Sequence, residues 1–316
     1  MKFLKDLKPG DRVADIYMCK HKLIATTKNG KEYYSVTLQD KTGIVDAKVW
    51  EPNSDGIDEF DDTDYIDVFG EVTSFNGALQ INVKRARRCH EGEYDPALYL
   101  PVSKKDNDQM YKELLGIIGT IQNPYLKKLL EEFFVQDEAF ITAFRKSSAA
   151  KTVHHAFIGG LLEHTLSVTK LCDYYASVYP RLNRDLLLTA AMCHDMGKTR
   201  EISLFPVNDY TDEGQFIGHI VMGCEMVGEK ARSIEGFPTL LMQQLQHCIL
   251  AHHGEYEYGS PKKPSIMEAV ALNLADNTDA KMETFTELLE NVQTPGWQGY
   301  NKFFETNIYE TATDKL

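Results

Sequence analysis

Histidine and aspartate dominate the part of this chain where chemistry could be done. In order they run His164, His194-Asp195, His219, His252-His253 and Asp276. Imidazole nitrogens and carboxylate oxygens in one set suit Mn2+, Fe2+, Co2+, Ni2+ or Zn2+, and the histidine share disfavours Ca2+. Any one of these histidines, taken singly, reads more readily as a buried core residue with a satisfied hydrogen bond. The ordered set is far more specific, because five separate elements would have to agree by chance. Divalent ions held there would activate a water near neutral pH, so the expected chemistry is metal-dependent hydrolysis. Lys198, one turn past His194, is placed to meet a phosphate as a point charge. The plainer reading of Lys198 is a helix-end lysine offsetting the helix dipole. His154 and His155 lie nine or ten residues before His164, and one of them is a candidate general acid or substrate contact, with a structural role weighed equally.

Those ligands need helices to carry them. From about Ser103 onward apolar residues recur at helical spacing, through 126–144, 157–178, 185–193, 217–234, 239–250 and 266–289. Ser103, Asn123-Pro124 and Asp137 read as helix starts. Each ligand then sits in, or at the end of, a different helix, as in bundles that gather one ligand per helix at an interior point. Neighbours on a regular helix point about 100° apart. His194-Asp195 and His252-His253 are therefore expected at helix ends, where Gly197 and Gly254 follow them. His219 follows Gly218 near a helix start. Gly159 and Gly160 ahead of His164 would let another backbone approach. The spacing leaves open whether His252, His253 or both act as ligands.

Residues 12–85 carry a different period. Alternation of two places Tyr34, Val36, Leu38, then Val45, Ala47, Val49, then Ile66, Val68, Val72, then Leu79, Ile81, Val83 on one face. With Arg12–Met18 this makes five strands, separated by turn signals at Asn29-Gly30, Asp40–Gly43 and Asn76-Gly77, and it suggests a small barrel. The opposite face carries Tyr33, Lys48, Trp50, Phe69, Phe75, Gln80, Asn82 and Lys84. Aromatics among cations and amides are what a stacking platform for single-stranded nucleic acid requires. The alternative is that these aromatics pack against the second domain or another subunit.

Net charge is −13, which argues against a general nucleic-acid coat protein. The charge is uneven: eight acids and no base lie between Glu51 and Asp67, and without them Lys and Arg outnumber Asp and Glu in the first 95 residues. Six scattered cysteines with no CxxC pair point to a reducing, cytoplasmic setting rather than a disulfide framework. The start, MKFLKDLKPGDR, lacks the apolar core of a signal peptide, and no apolar run reaches about 18 residues, so no membrane span is expected. The tail from Thr294 shows no strong period, and its Trp297, Tyr300, Phe303 and Phe304 are expected to dock on a neighbour.

His164, His194-Asp195 and Asp276 match the H…HD…D signature of the HD-domain phosphohydrolase superfamily, and Cys-His-Asp-Met-Gly-Lys at 193–198 resembles its HDxGK element. His219 and His252-His253 resemble the members that hold two metals. Together with LQDKTGIVDAKVW at 38–50, HHAFIGGLLEHT at 154–165, GHIVMG at 218–223 and LAHHG at 250–254, they make nearly the whole chain resemble the YhaM-type 3′–5′ exoribonucleases. The resemblance implies a multi-domain chain, a small all-β OB-fold barrel followed by an all-α HD-domain helical bundle. The boundaries expected are 1–95 for the barrel, 96–150 for a helical linker region, 151–293 for the HD domain and 294–316 for an aromatic tail. It implies two divalent ions, Mn2+ first, with Co2+, Fe2+, Ni2+ or Zn2+ as alternatives. One would take His164, His194, Asp195 and Asp276, the other Asp195, His219 and one or both of His252 and His253. Asp195, Lys198 and His155 are the catalytic candidates, and Tyr33, Lys48, Trp50, Phe69, Phe75 and Lys84 the nucleic-acid-binding ones. The implied partner is single-stranded RNA, with single-stranded DNA a second polymer, and the aromatic tail is a candidate surface for self-association. Two other readings compete: hydrolysis of nucleotides or cyclic dinucleotides, for which the barrel has no evident use, and a non-catalytic nucleic-acid-binding protein, against which the complete ligand set counts.

Overall fold

The computed structural model describes residues 2–27, 29–75, 77–151, 155–290, 292 and 294–311. Asn76 of the third turn and His154 lie outside the described residues. By contact the chain divides into one unit of Met1–Val102 with Phe205–Val207 and another of Ser103–Leu204 with Asn208–Leu316.

The first unit is a closed barrel of β1 (Arg12–Thr26), β2 (Glu32–Asp40), β3 (Gly43–Val49), β4 (Tyr65–Phe75) and β5 (Ala78–Arg88), in the order β1-β2-β3-β5-β4. All neighbours are antiparallel except β3 and β5, which run parallel from Asp46↔Gln80 to Val49↔Val83. The alternation expected from the sequence is what fills the barrel. Val36, Leu38, Val45, Ala47, Val49, Ile66, Val68, Val72, Ile81 and Val83 are buried, with Tyr34 and Leu79 packed half-buried against them. Burying a side chain of this size contributes about 1.5–3 kcal/mol. β1 differs from the expected strand, which ended at Met18. It runs eight residues further, because its first half pairs with β4 and its second with β2 across a bulge at Cys19/His21. Residues 20–26 are exposed or half-exposed, so they carry no apolar alternation to betray the pairing.

The second unit is helical: α1 (Asn107–Gly119), α2 (Pro124–Glu131), α3 (Glu138–Lys146), α4 (Gly160–Val178), α5 (Arg184–Cys193), α6 (Lys198–Glu201), α7 (Asp212–Ile217), α8 (His219–Ser233), α9 (Thr239–Ala251) and α10 (Met267–Leu289). Asn123 and Asp137 cap α2 and α3 as expected, accepting from Leu126 N and Phe140 N. Ser103 does not start a helix. Asp106 does so, accepting from Gln109 N, while the Ser103 hydroxyl donates to Glu163. Leu114, Leu129, Phe134 and Phe144 of the 96–150 segment are buried in the same core as Leu162, Leu187, Ile249 and Leu272, so these helices form part of the bundle. The tail is more ordered than its sequence suggests. β6 (Gly296–Asn301) and β7 (Thr306–Glu310) form a two-stranded antiparallel sheet whose bulge at Trp297/Gly299 breaks the period of two. Phe304 packs edge-on against Phe285 of α10, while Trp297, Tyr300 and Phe303 stay exposed. Among the described residues no helix is long and apolar enough to cross a membrane.

Candidate metal centre

Three helices and two helix ends bring the sequence-predicted ligands to one place. His164 lies in α4 and Asp276 in α10, His219 opens α8, His194-Asp195 follow α5, and His252-His253 follow α9. Asp195 is buried to 2% exposure and faces both ways. Its Oδ2 lies 3.4 Å from His164 Nε2 and 3.4 Å from His194 Nε2. Asp276 Oδ1 completes that side, 3.2 Å from His164 Nε2 and 3.8 Å from His194 Nε2. The other oxygen, Oδ1, lies 3.4 Å from His219 Nε2 and 3.6 Å from His252 Nε2. One His253 ring nitrogen falls within 4.8 Å of those of His219 and His252. Donors about 2.1 Å from a shared ion stand about 3.0–3.4 Å apart, so the spacing on each side of Asp195 suits a metal.

A second observation tests that fit. Asp195 Oδ1, His219 Nε2 and His252 Nε2 are buried and have no hydrogen-bond partner. Leaving one buried polar atom unpaired costs about 1–3 kcal/mol, and here three converge. A cation satisfies all of them together.

The tautomers agree. In each of the five histidines Nδ1 meets an oxygen that only accepts: Asp279 Oδ2 for His164 at 2.7 Å, Ala191 O for His194 at 2.8 Å, Glu201 Oε1 for His219 at 2.9 Å, Ile249 O for His252 at 2.7 Å and Tyr258 O for His253 at 2.9 Å. Nδ1 must therefore carry the proton, which leaves Nε2 as the free lone pair. Two of these bonds explain why ligands sit at helix ends. The last carbonyls of a helix lack intrahelical partners, and the ring three residues on takes one of them.

Two glycines permit the assembly. A Cβ on Gly197 would stand 2.1 Å from the His219 carbonyl oxygen, and one on Gly160 would stand 2.0 Å from that of His155. Only glycine lets the start of α8 close on the turn after Asp195, and the His155 backbone close on α4.

Electrostatics follow the geometry. Burial alone would raise the Asp195 carboxyl, but the charge of Lys198 beside it holds it well below the usual carboxylate range. Lys198, expected at a phosphate, has its Nζ 2.6 Å from Asp195 Oδ2 and so is paired with that carboxylate here. Burial, helped by neighbouring histidines, holds His252 and His253 below the ordinary imidazole value, the neutral form a metal needs.

His155, a candidate general acid or substrate contact for which a structural role was weighed equally, lies beside Asp279. Its Nε2 lies 2.9 Å from Asp279 Oδ2, the oxygen that also meets the outward nitrogen of His164. It is 1% exposed, and through Asp279 it is tied to the Nδ1 side of His164. Asp279 and Glu201 were missed from sequence. Asp279 follows Asp276 by three residues on α10 and so shares its face, a signal that could have found it. Nothing in the spacing ties Glu201 to His219.

On the barrel, Tyr33 and Trp50 meet with ring centroids 4.9 Å apart, and Lys48 stands 5.9 Å over the Tyr33 ring. Trp50 Nε1 donates to Asn82 Oδ1 and Lys48 Nζ to Ser35 Oγ. Trp50 and Phe75 remain exposed, at 44% and 64%. Lys84 is exposed at the β4–β5 bulge, whereas Phe69 is half-buried beneath the Arg85 guanidinium, 4.8 Å from its ring.

Comparison with known proteins fits these two parts. The HD domain family matches residues 161–281, and the family described as OB-fold nucleic acid binding domain matches residues 20–88. The 3′-5′ exoribonuclease YhaM of Geobacillus sp. (strain WCH70) is 33% identical over 290 residues, 91% of this chain and 87% of that protein. That of Halalkalibacterium halodurans is 30% identical over 314 residues, 96% of each. That of Oceanobacillus iheyensis is 31% identical over 290 residues, 91% of this chain and 89% of the other.

Proposed function

The chain belongs to the YhaM family of 3′-5′ exoribonucleases, and on that premise we propose that it removes mononucleotides from the 3′ end of single-stranded RNA at a centre for two divalent ions. One observation carries the two-ion reading: Asp195 turns one oxygen to each of two donor groups, and the buried atoms on its Oδ1 side have no other partner. His164, His194, Asp195 and Asp276 would hold the first ion, and Asp195, His219, His252 and His253 the second. Divalent ions held there supply water activation at neutral pH and offset charge on the scissile phosphate. The protein residues do the rest. Asp195 fixes the separation of the two donor groups. The Nδ1 bonds fix ring orientation. Lys198 offers a positive charge beside the bridging carboxylate, within reach of a phosphate oxygen. Mn2+ is the ion proposed on the family resemblance, and the mixed imidazole and carboxylate set accepts it alongside Fe2+, Co2+, Ni2+ or Zn2+. Tyr33 and Trp50 would stack unpaired bases and Lys48 and Lys84 would meet phosphates, which makes RNA or DNA single strands ligands of the barrel. The six cysteines, all free, accord with a cytoplasmic enzyme.

The test is a digest of 5′-labelled single-stranded RNA with Mn2+, resolved by product. A ladder that shortens from the 3′ end with mononucleotide release is expected, and Asp195→Ala should leave no turnover. No shortening with any of Mn2+, Co2+, Fe2+, Ni2+ or Zn2+, or full activity in Asp195→Ala, would end the proposal.

A further inference from the structure

Three of the five histidine Nδ1 groups are held by backbone carbonyls, of Ala191, Ile249 and Tyr258. The other two are held by side-chain carboxylates, and they fall one on each side of Asp195. On the Oδ2 side His164 rests on Asp279, and on the Oδ1 side His219 rests on Glu201. We propose that Asp279 and Glu201 are positioning residues that each set the metal affinity of one site, with His155 holding Asp279 in place. The division rests on the two-ion reading above.

The two carboxylates are anchored by different means. Asp276 and Asp279 sit one turn apart on α10 and flank the His164 ring, with Nδ1 bonded to Asp279 at 2.7 Å and Nε2 3.2 Å from Asp276 as a fellow donor toward an ion. A second donor steadies the same Asp279 oxygen, His155 Nε2 at 2.9 Å. His155 is 1% exposed and adopts a left-handed φ of 57°, and its carbonyl lies where a Cβ on Gly160 would be. That backbone is costly for a β-substituted residue, and it is the one that brings the His155 ring to Asp279. Glu201 Oε1 takes two donors from one residue, the backbone N–H of His219 at 2.9 Å and its ring Nδ1 at 2.9 Å. It thereby satisfies an orphan amide at the start of α8 and turns the ring at once. A carboxylate behind an imidazole raises its basicity toward a metal, and losing such a partner typically costs about 10- to 100-fold in metal affinity. His155, His164 and Asp279 do not form a third ion site, since contacts of 2.7 and 2.9 Å are direct hydrogen bonds.

The experiment titrates the full-length, metal-free chain with Mn2+ and counts free ion by electron paramagnetic resonance, with circular dichroism to confirm the fold. Wild type should take two ions. Asp276→Ala should retain only the Oδ1-side site, and His219→Ala only the Oδ2-side site. Added to His219→Ala, Asp279→Asn should weaken the remaining site by about 10- to 100-fold. Added to Asp276→Ala, it should change nothing. Glu201→Gln should show the reverse pattern. His155→Gln, which leaves Asp279 in place, should weaken the Oδ2-side site alone and by less. The proposal is overturned if Asp279→Asn leaves affinity unchanged on the His219→Ala background, or lowers it equally on both. A wild-type chain that binds only one ion overturns the two-site reading itself, a result visible before any outer carboxylate is changed.

Discussion

Replacing Gly197 with alanine tests whether the approach of α8 to the turn after Asp195 builds the centre. The added Cβ would stand 2.1 Å from the His219 carbonyl oxygen and 2.8 Å from Gly223 N, and real Cβ atoms essentially never come within 3.0 Å. The start of α8 must therefore retreat by about 0.9 Å, the 3.0 Å limit less the 2.1 Å to the carbonyl oxygen. His219 travels with it, and its Nε2 now lies 3.4 Å from Asp195 Oδ1. Metal–ligand distances tolerate only about ±0.2 Å, so the Oδ1-side site is lost or weakened while the Oδ2-side site is spared. Overpacking of this kind costs about 1–3 kcal/mol of stability, and a misplacement of about 1 Å at a reacting centre costs about 100-fold in rate. The assay is the initial rate on labelled single-stranded RNA at saturating Mn2+, with thermal melting of the same preparation. Gly116→Ala is the control: nothing lies within 4 Å of its Cβ, it sits inside α1, and it should be neutral or stabilising by about 0.4–1 kcal/mol. A folded Gly197→Ala protein within threefold of wild-type rate, with both Mn2+ sites intact, would refute this reasoning.

Trp50→Ala should weaken single-stranded RNA binding by about 1–3 kcal/mol, or about 5- to 150-fold, because it removes the exposed partner of Tyr33; fluorescence anisotropy with a labelled oligonucleotide checks this, and unchanged affinity would remove the barrel face from the account. Chelation should lower the melting temperature of the helical unit by unpairing the donors around Asp195, and Mn2+ restored to about 100 times its dissociation constant should return about 2.7 kcal/mol per ion. Asp137→Ala should cost about 1 kcal/mol at neutral pH, a fall of about 2–4 °C in that unit's melting. Its hydrogen bond from Phe140 N–H and its pairing with Lys230 hold the Asp137 carboxyl below its ordinary value, so its contribution is present above the unfolded value of about 3.9 and lost as pH falls through the folded one. Melts of mutant and wild type should therefore converge below about pH 4 and diverge at pH 7.

What the sequence determined by itself is what short-range rules govern. A period of two marked the barrel core from Val36 to Val83, since one side chain in two must face inward whatever the partner strand. Helix ends at Cys193 and Ala251 were legible because Gly197 and Gly254 lie just beyond them, and the ligand identities because few residue types bind metals. The structure decided what depends on two distant segments meeting. β1 reaches Thr26 because β2 pairs with it, and the tail forms a hairpin across a bulge. Glu201 behind His219 became visible only when α6 closed on its histidine, and Asp279, on the face of Asp276 by its spacing, gained its partner only when α10 met His164. The same closure set His155 beside Asp279, where spacing had left a structural role and a role at the substrate equally open. It also split Asp195, one oxygen to each side, a consequence of which way a buried carboxylate is turned by helices far apart in the chain.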